Sequence, residues 1–213
     1  MNLASFFLAF GSFFLGSIPF GFLLAKYFGG LDIRKKGSGN IGATNVTRLL
    51  GWKVGLPVLL LDVSKGALPI LLARYALHIN SELTLLLCGI AAIAGHVFSP
   101  FLKMKGGKGV ATSFGVFLVL APGSVFFSLV VFLFLKKVFG FVSLGSIGGA
   151  ISLPISYVSL SRIEGSDFPT PTFWAICCIS TAILILHRTN LLRLIRGREF
   201  SSDKEKYKKQ TED

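Results

Sequence analysis

Carboxylates are scarce in this chain. Ten aspartates and glutamates face 22 lysines and arginines across 213 residues, a formal net charge of +12. The stretch from Lys26 to Lys53 holds six basic residues and one acid, Asp32, and residues 37–48 hold no acid. Cysteine is also rare. Cys88, Cys177 and Cys178 lie inside apolar runs with no C-x-x-C pair and no metal-ligand spacing, which excludes a disulfide framework and leaves them as packing residues. No metal or cofactor is called for. The glycine spacing fits neither a Walker A loop nor a dinucleotide fingerprint. No convincing internal repeat is visible, which weakens an inverted-repeat transporter. The amino terminus is apolar from Leu3 onward, with no positive n-region and no small-x-small cleavage site, so a cleaved signal peptide is not expected.

Apolar sequence is abundant. Hydrophobic residues make up 52%, with 21 phenylalanines and 24 glycines, and the mean hydropathy is +0.70. This is the composition of a helical membrane protein, in which small residues allow close helix contact. In a soluble protein the basic charge would suggest nucleic acid. Here it punctuates apolar runs and no aromatic-basic platform is present, so no nucleic acid is expected.

The apolar runs predict spans at about Leu3–Ala25, Val54–Ala73, Leu83–Phe98, Ser143–Leu160 and Thr172–Leu186. The segment Val110–Leu135 is split near its middle by Ala121-Pro122-Gly123. Reading it as two spans places 19 of the 22 basic residues on one side, which the positive-inside rule favours. The expectation is an all-α integral membrane protein with seven transmembrane helices, several short or kinked. Its amino terminus is outside and its carboxyl terminus cytoplasmic. Residues 1–200 form one membrane domain, followed by a polar, disordered tail at 201–213.

The unusual polar residues then collect at one face. Gly37-Ser-Gly-Asn-Ile-Gly-Ala-Thr-Asn-Val-Thr-Arg48 combines glycines, small neutral donors and flanking cations, and Lys105-Gly-Gly-Lys-Gly109 is a second glycine-basic loop. Turned amides beside fixed cations suit a phosphate dianion. Read alone, each is equally an ordinary charged turn. Ser143 reads as a helix start, and His187, Asn190 and Arg193 share one face if the last helix continues through them. Asp62 and Lys65, three apart inside a span, read either as an ion pair closed on itself or as residues of which one reaches a substrate or a loop near the cytoplasmic end. His96 reads as a tethering residue or as part of the site.

The motifs Gly16-Ser-Ile-Pro-Phe-Gly21, residues 37–48, Gly95-His96 with Pro100, Lys105-Gly-Gly-Lys-Gly-Val-Ala111, Val142-Ser-Leu144 and His187-Arg-x-Asn190 leading to Arg193 resemble the bacterial acyl-phosphate-dependent glycerol-3-phosphate acyltransferases, the PlsY family. The resemblance runs through roughly residues 10–200. It implies transfer of a fatty acyl group from acyl phosphate to the 1-hydroxyl of sn-glycerol 3-phosphate, giving lysophosphatidate and inorganic phosphate, as the first acylation of phospholipid synthesis. It implies a multi-pass protein of the bacterial cytoplasmic membrane with its site near the cytoplasmic face. The implied partners are membrane lipid, the two substrates and, transiently, the soluble enzyme that makes acyl phosphate.

By the same resemblance, Ser38, Asn40, Arg48, Lys108, Ser143, His187 and Asn190 are the catalytic candidates. Gly37, Gly39, Thr44, Asn45, Gly106, Gly107, Gly109 and Arg193 are the phosphate- and substrate-binding candidates. Arg48 and Lys108 hold phosphates, the glycines offer backbone N–H groups, and His187 is a general base or an orienting donor. A substrate phosphate is an alternative proton acceptor. The chain has no Ser-His-Asp set in order and no His-x-x-x-x-Asp motif, which fits direct transfer without an acyl-enzyme. Two rivals use the same loops: a phosphate-ester transporter, and a scaffold that recruits soluble lipid enzymes.

Overall fold

The computed structural model describes residues 3–165 and 168–201. Among these residues all regular structure is helical and no strand occurs. The expected disordered tail lies, Ser201 apart, outside the described residues, as do Ser166 and Asp167 of the expected outer loop. The chain divides into two compact units, Met1–Leu120 and Ala121–Asp213.

In the first unit the opening apolar run makes two helices, α1 (Leu3–Ser17) and α2 (Phe20–Gly29). Pro19 lacks an N–H and crowds the residue before it, so the helix breaks across Ile18 and Pro19. Gly30, at φ +62°, closes α2 by donating its N–H to the Lys26 carbonyl at 3.0 Å. A 3₁₀ turn (Ile33–Lys35) and a glycine-rich loop lead to the short amphipathic helix α3 (Ala43–Leu50). Helix α4 (Trp52–Leu71) continues as a π turn to Ala76. Helix α5 (Glu82–Val97) starts at Ser81, whose hydroxyl accepts from the Thr84 N–H at 3.4 Å, and α6 (Val110–Leu120) ends the unit.

Small residues bring these helices together. Gly16 on α1 lies against the Ala92 backbone of α5, and Gly66 on α4 against the Thr112 carbonyl of α6; a Cβ at either position would overlap its neighbour. The loop and α3 are held by a cluster of buried apolar side chains. Ile33, Ile41 and Val46 pack with Ala25 of α2, Val58 of α4 and Leu102. This apolar anchor fixes where the polar residues between Gly37 and Arg48 stand.

The second unit holds α7 (Pro122–Phe139), α8 (Val142–Ile163), α9 (Pro171–Leu186) and α10 (Arg188–Ile195). Gly140, at φ +78°, turns the chain from α7 into α8, and the small face of Gly145, Gly148 and Gly149 meets Phe132, Leu135 and Ser128. Thr170 caps α9, its hydroxyl accepting from the Phe173 N–H at 3.1 Å. Helices α9 and α10 bend by 53° at His187, so the condition under which His187, Asn190 and Arg193 would share one face, a helix that continues through them, is not met.

Among the described residues, five stretches are long and apolar enough to cross a membrane: Leu3–Gly29, Trp52–Ala76, Glu82–Leu102, Pro122–Phe139 and Val142–Ile163. The bent pair α9–α10 makes a sixth if counted as one span. The protein is a multi-pass membrane protein. The split expected at Ala121-Pro122 is present, but α6 has only 11 residues. It rises about 16 Å, roughly half the thickness of a bilayer's hydrocarbon core.

Candidate active site

In the first unit the 37–48 stretch is built around Asn45. This side chain is 1% exposed. Its NH2 faces the carbonyls of Ile33, Lys36 and Asn40 at 3.3, 3.1 and 2.9 Å. Its Oδ1 accepts from the Ser38 N–H at 3.0 Å and from Arg48 at 3.4 Å. Asn45 was expected among the substrate donors. Instead its hydrogen-bonding capacity is spent inside the loop, and it ties the backbone at Ser38 and Asn40 and the Arg48 side chain to one point. Gly37 and Gly39 sit at φ +57° and +73°, where other residues are strained.

The neighbours of Asn45 keep capacity to bind. Asn40 Oδ1 accepts from the Gly42 N–H at 2.7 Å, which orients the amide and leaves its NH2 without a partner among the described residues. The Ser38 hydroxyl is likewise uncommitted among the described residues. Thr44 is exposed on the first turn of α3, where the N–H groups of Ala43 and Thr44 have no helical acceptor. Arg48 is half-buried on the last turn. Upstream, Arg34 forms a bidentate pair with Asp32, 2.9 and 2.7 Å. These hydrogen bonds hold the Asp32 carboxyl down at about 2.

The second glycine-basic loop lies in the same unit. Its backbone donors are not all directed outward as expected. The Gly106 and Gly107 N–H groups donate to the carbonyls of Val97 and His96 at 2.9 and 3.0 Å, and the Gly39 N–H donates to the Lys36 carbonyl at 3.0 Å. These glycines shape the loops and do not offer those N–H groups to a ligand. Gly109, at φ +79°, accepts from the Ser113 N–H at 2.8 Å and so starts α6. Lys108, half-buried, stands between. A cavity of about 410 Å³ opens between the two loops, with Arg34, Lys103 and Lys105 among its lining residues.

The floor of this second loop carries buried charge. The Lys65 ammonium lies 2.8 Å from Asp62 Oδ1, with side chains 2% and 3% exposed. It also donates to the Ile18 carbonyl at 3.0 Å. His96 Nδ1 is 3.7 Å from the same Asp62 oxygen. Asp62 and Lys65 therefore do form an ion pair.

The second unit has its own polar centre, and an acid organises it. Glu199 is 3% exposed. Its Oε1 accepts from Ser143 at 2.9 Å and from the Asn190 NH2 at 2.7 Å, and its Oε2 accepts from Arg193 Nε at 2.9 Å. Ser143 and Asn190 were expected to face the substrate and Arg193 a phosphate. The structure turns a hydrogen of each toward this carboxylate and pairs the Arg193 charge with it. Arg193 also lies over the Phe200 ring, 5.2 Å to the centroid. Sequence reasoning assigned Glu199 no role. The available signal was its isolation, as the single acid between Asp167 and Asp203 in an arginine-rich run. His187 sits at the α9–α10 bend with Nδ1 2.8 Å from the Ile183 carbonyl. A carbonyl only accepts, so Nδ1 carries the hydrogen, and in the neutral ring the lone pair lies on Nε2.

The two centres belong to a multi-pass helical membrane protein in which amides, hydroxyls and cations are held on glycine-shaped turns at helix ends. That is the equipment of a phosphate-handling membrane enzyme. Comparison with known proteins sharpens the class. The family model described as Glycerol-3-phosphate acyltransferase matches residues 6–197. A glycerol-3-phosphate acyltransferase of Leptospira borgpetersenii is 48% identical over 202 residues, 93% of this chain and 91% of the relative. One of Maridesulfovibrio salexigens is 45% identical over 196 residues, 92% and 95% of the two chains. The crystal structure of PlsY (YgiH), an integral membrane glycerol 3-phosphate acyltransferase, in its glycerol 3-phosphate form, superposes with a TM-score of 0.83 at 39% identity. It covers 93% of this chain and 95% of the other. Its lysophosphatidic acid form gives 0.80. The chain belongs to the glycerol-3-phosphate acyltransferase family.

Proposed function

We propose that this protein transfers a fatty acyl group from acyl phosphate to the 1-hydroxyl of sn-glycerol 3-phosphate. The observation that carries the reading is the pair of forms in which the 39%-identical relative has been solved, glycerol 3-phosphate and lysophosphatidic acid. They differ by one acyl group on a hydroxyl, and so bracket an acyl transfer.

Acyl phosphate suits the residues present as donor. Its carbonyl is already activated as a mixed anhydride, so positioning and charge stabilisation suffice. The acceptor oxygen attacks the carbonyl carbon, the bond from that carbon to the phosphate oxygen breaks, and inorganic phosphate leaves. Arg48 and Lys108 hold the phosphates. Ser38 and Asn40 donate to the reacting groups from the turn that Asn45 clamps. His187 takes the hydroxyl proton on Nε2. Glu199 sets Ser143, Asn190 and Arg193 in place beside it.

In this reading the two units act as one acyltransferase domain in the bacterial cytoplasmic membrane. The chain crosses seven times, with α6 completing its crossing through its flanking loops. The amino terminus is outside, and the basic loops and both polar centres are cytoplasmic. The charge distribution supports this, with 19 of 22 basic residues on one side. The soluble enzyme that supplies acyl phosphate docks transiently there. The test is detergent-purified protein mixed with acyl phosphate and glycerol 3-phosphate, read by mass spectrometry for lysophosphatidate. Product without any added protein or coenzyme is expected. Product formation from acyl-CoA but not acyl phosphate would overturn the donor assignment.

A further inference from the structure

We propose that the buried cluster of Asp62, Lys65 and His96 positions the 105–109 loop, and through it Lys108, for acyl transfer. The proposal rests on the phosphate-holding role given to Lys108 above. The three side chains come from two helices and meet below the loop. Lys65 and Asp62 face each other at 2.8 Å on α4, and His96, 4% exposed on the last turn of α5, stands 3.7 Å from the shared carboxylate oxygen. The ammonium also donates to the Ile18 carbonyl, 3.0 Å away. That carbonyl lies at the break between α1 and α2, so the cluster joins three helices.

Burying such charges is costly, and apolar side chains of similar size would often pack as well or better. Simple cohesion is therefore a poor reason for them. What lies directly above gives a better one. The Gly107 backbone rests on the imidazole, and a Cβ at position 107 would overlap His96 Nε2. The N–H groups of Gly106 and Gly107 donate to the carbonyls of Val97 and His96 at 2.9 and 3.0 Å. Lys108 is the next residue. On its far side α6 begins at Gly109, and the Thr112 carbonyl of α6 is in contact with Gly66, the neighbour of Lys65. The loop is thus seated at one end on His96 and at the other on the turn of α4 that carries Lys65. The buried Asp62 carboxylate faces the ring across 3.7 Å, the ring sets Gly107, and Gly107 sets the direction in which Lys108 leaves the backbone. Asp62, Lys65 and His96 are positioning residues in this account and touch no substrate.

The test is a double-mutant cycle on the full chain in detergent. His96→Ala, Gly107→Ala and the double variant are compared for kcat/KM per folded molecule, with folding checked by gel filtration and thermal melting. Gly107→Ala is expected to lose at least about tenfold, because its methyl meets the ring. His96→Ala is expected to lose a similar factor, because the loop loses its seat. The double variant is expected to lose about tenfold less than the product of the two single losses, since removing the ring makes room for the methyl. Fewer folded molecules with normal turnover would mark a purely structural role, and losses that simply multiply would mark independent sites; either result overturns the proposal. If His96→Ala does not fold, His96→Gln replaces it in the same cycle. Wild-type protein that makes no lysophosphatidate would sink the proposed function instead, and is seen before any variant is made.

Discussion

Replacing Asn45 by alanine tests the claim that this residue builds the site without touching the substrate. The side chain makes three contacts at or below 3.1 Å, to the Ser38 N–H and to the carbonyls of Lys36 and Asn40. Two more are longer, to Ile33 and Arg48. At about 1 kcal/mol of net value for each good hydrogen bond, Asn45→Ala removes about 3 kcal/mol from the ordered form of the loop. If the whole loss falls on the population of that form, kcat/KM drops by about 150-fold, since about 1.4 kcal/mol is a factor of ten. The apolar cluster of Ile33, Ile41 and Val46 is untouched, so the variant should still insert and run as wild type on gel filtration. The assay is lysophosphatidate formation against glycerol 3-phosphate concentration. Asn45→Asp sharpens it: the acid keeps an acceptor for Ser38 but turns an oxygen toward three carbonyls, and should lose at least as much. A folded Asn45→Ala protein within twofold of wild-type kcat/KM would refute the reasoning.

Glu199→Gln weakens three charge-assisted contacts at once. Turnover should fall by about tenfold or more at unchanged folded yield, because Ser143 and Asn190 each lose part of a hydrogen bond worth about 1 kcal/mol; normal turnover would remove Glu199 from the site. Lys108→Ala should abolish transfer in a protein that remains folded and inserted, and Arg48→Lys should also damage it, because a point charge cannot copy a planar guanidinium; initial rates of the purified variants check both. Asp32, with its carboxyl held at about 2 against an ordinary 3.8, gives stability that is present above pH 4 and lost as pH falls from 4 to 2. Asp32→Asn should flatten that part of the melting-temperature profile, and an unchanged profile would count against the pairing with Arg34.

The length of the apolar runs and the basic residues between them made most of the long helices legible. The break at Pro19, the split before Pro122 and the glycine turns at 37–39 follow from backbone chemistry that a proline or glycine announces locally. What stayed hidden is the direction of short polar side chains. Asn40 and Asn45 are the same residue type five positions apart, yet one presents its amide outward and the other is wholly used by carbonyls around it. That difference is set by the fold of residues 33–40 over α3, which no local signal encodes. The N–H groups of Gly106 and Gly107 went to α5 for the same reason: their acceptors, at positions 96 and 97, are a loop away. Glu199 was missed because a lone acid among arginines reads as an ordinary surface pair until burial is known. Whether the last helix continues through His187 was not legible, because nothing in the residues around it, neither glycine nor proline, signals the 53° bend.

Helix α6 keeps one large apolar side chain in the open, Leu118, while α7 exposes Phe126, Phe127, Val130, Leu133 and Phe134. A helix that keeps most of its large side chains at least partly covered meets less of the fatty tails around it. Cells that lengthen or shorten those tails as growth temperature changes alter the slab that α7 must match. Helix α6, with Leu118 as its one exposed large apolar side chain, offers that slab less surface to match than α7 does.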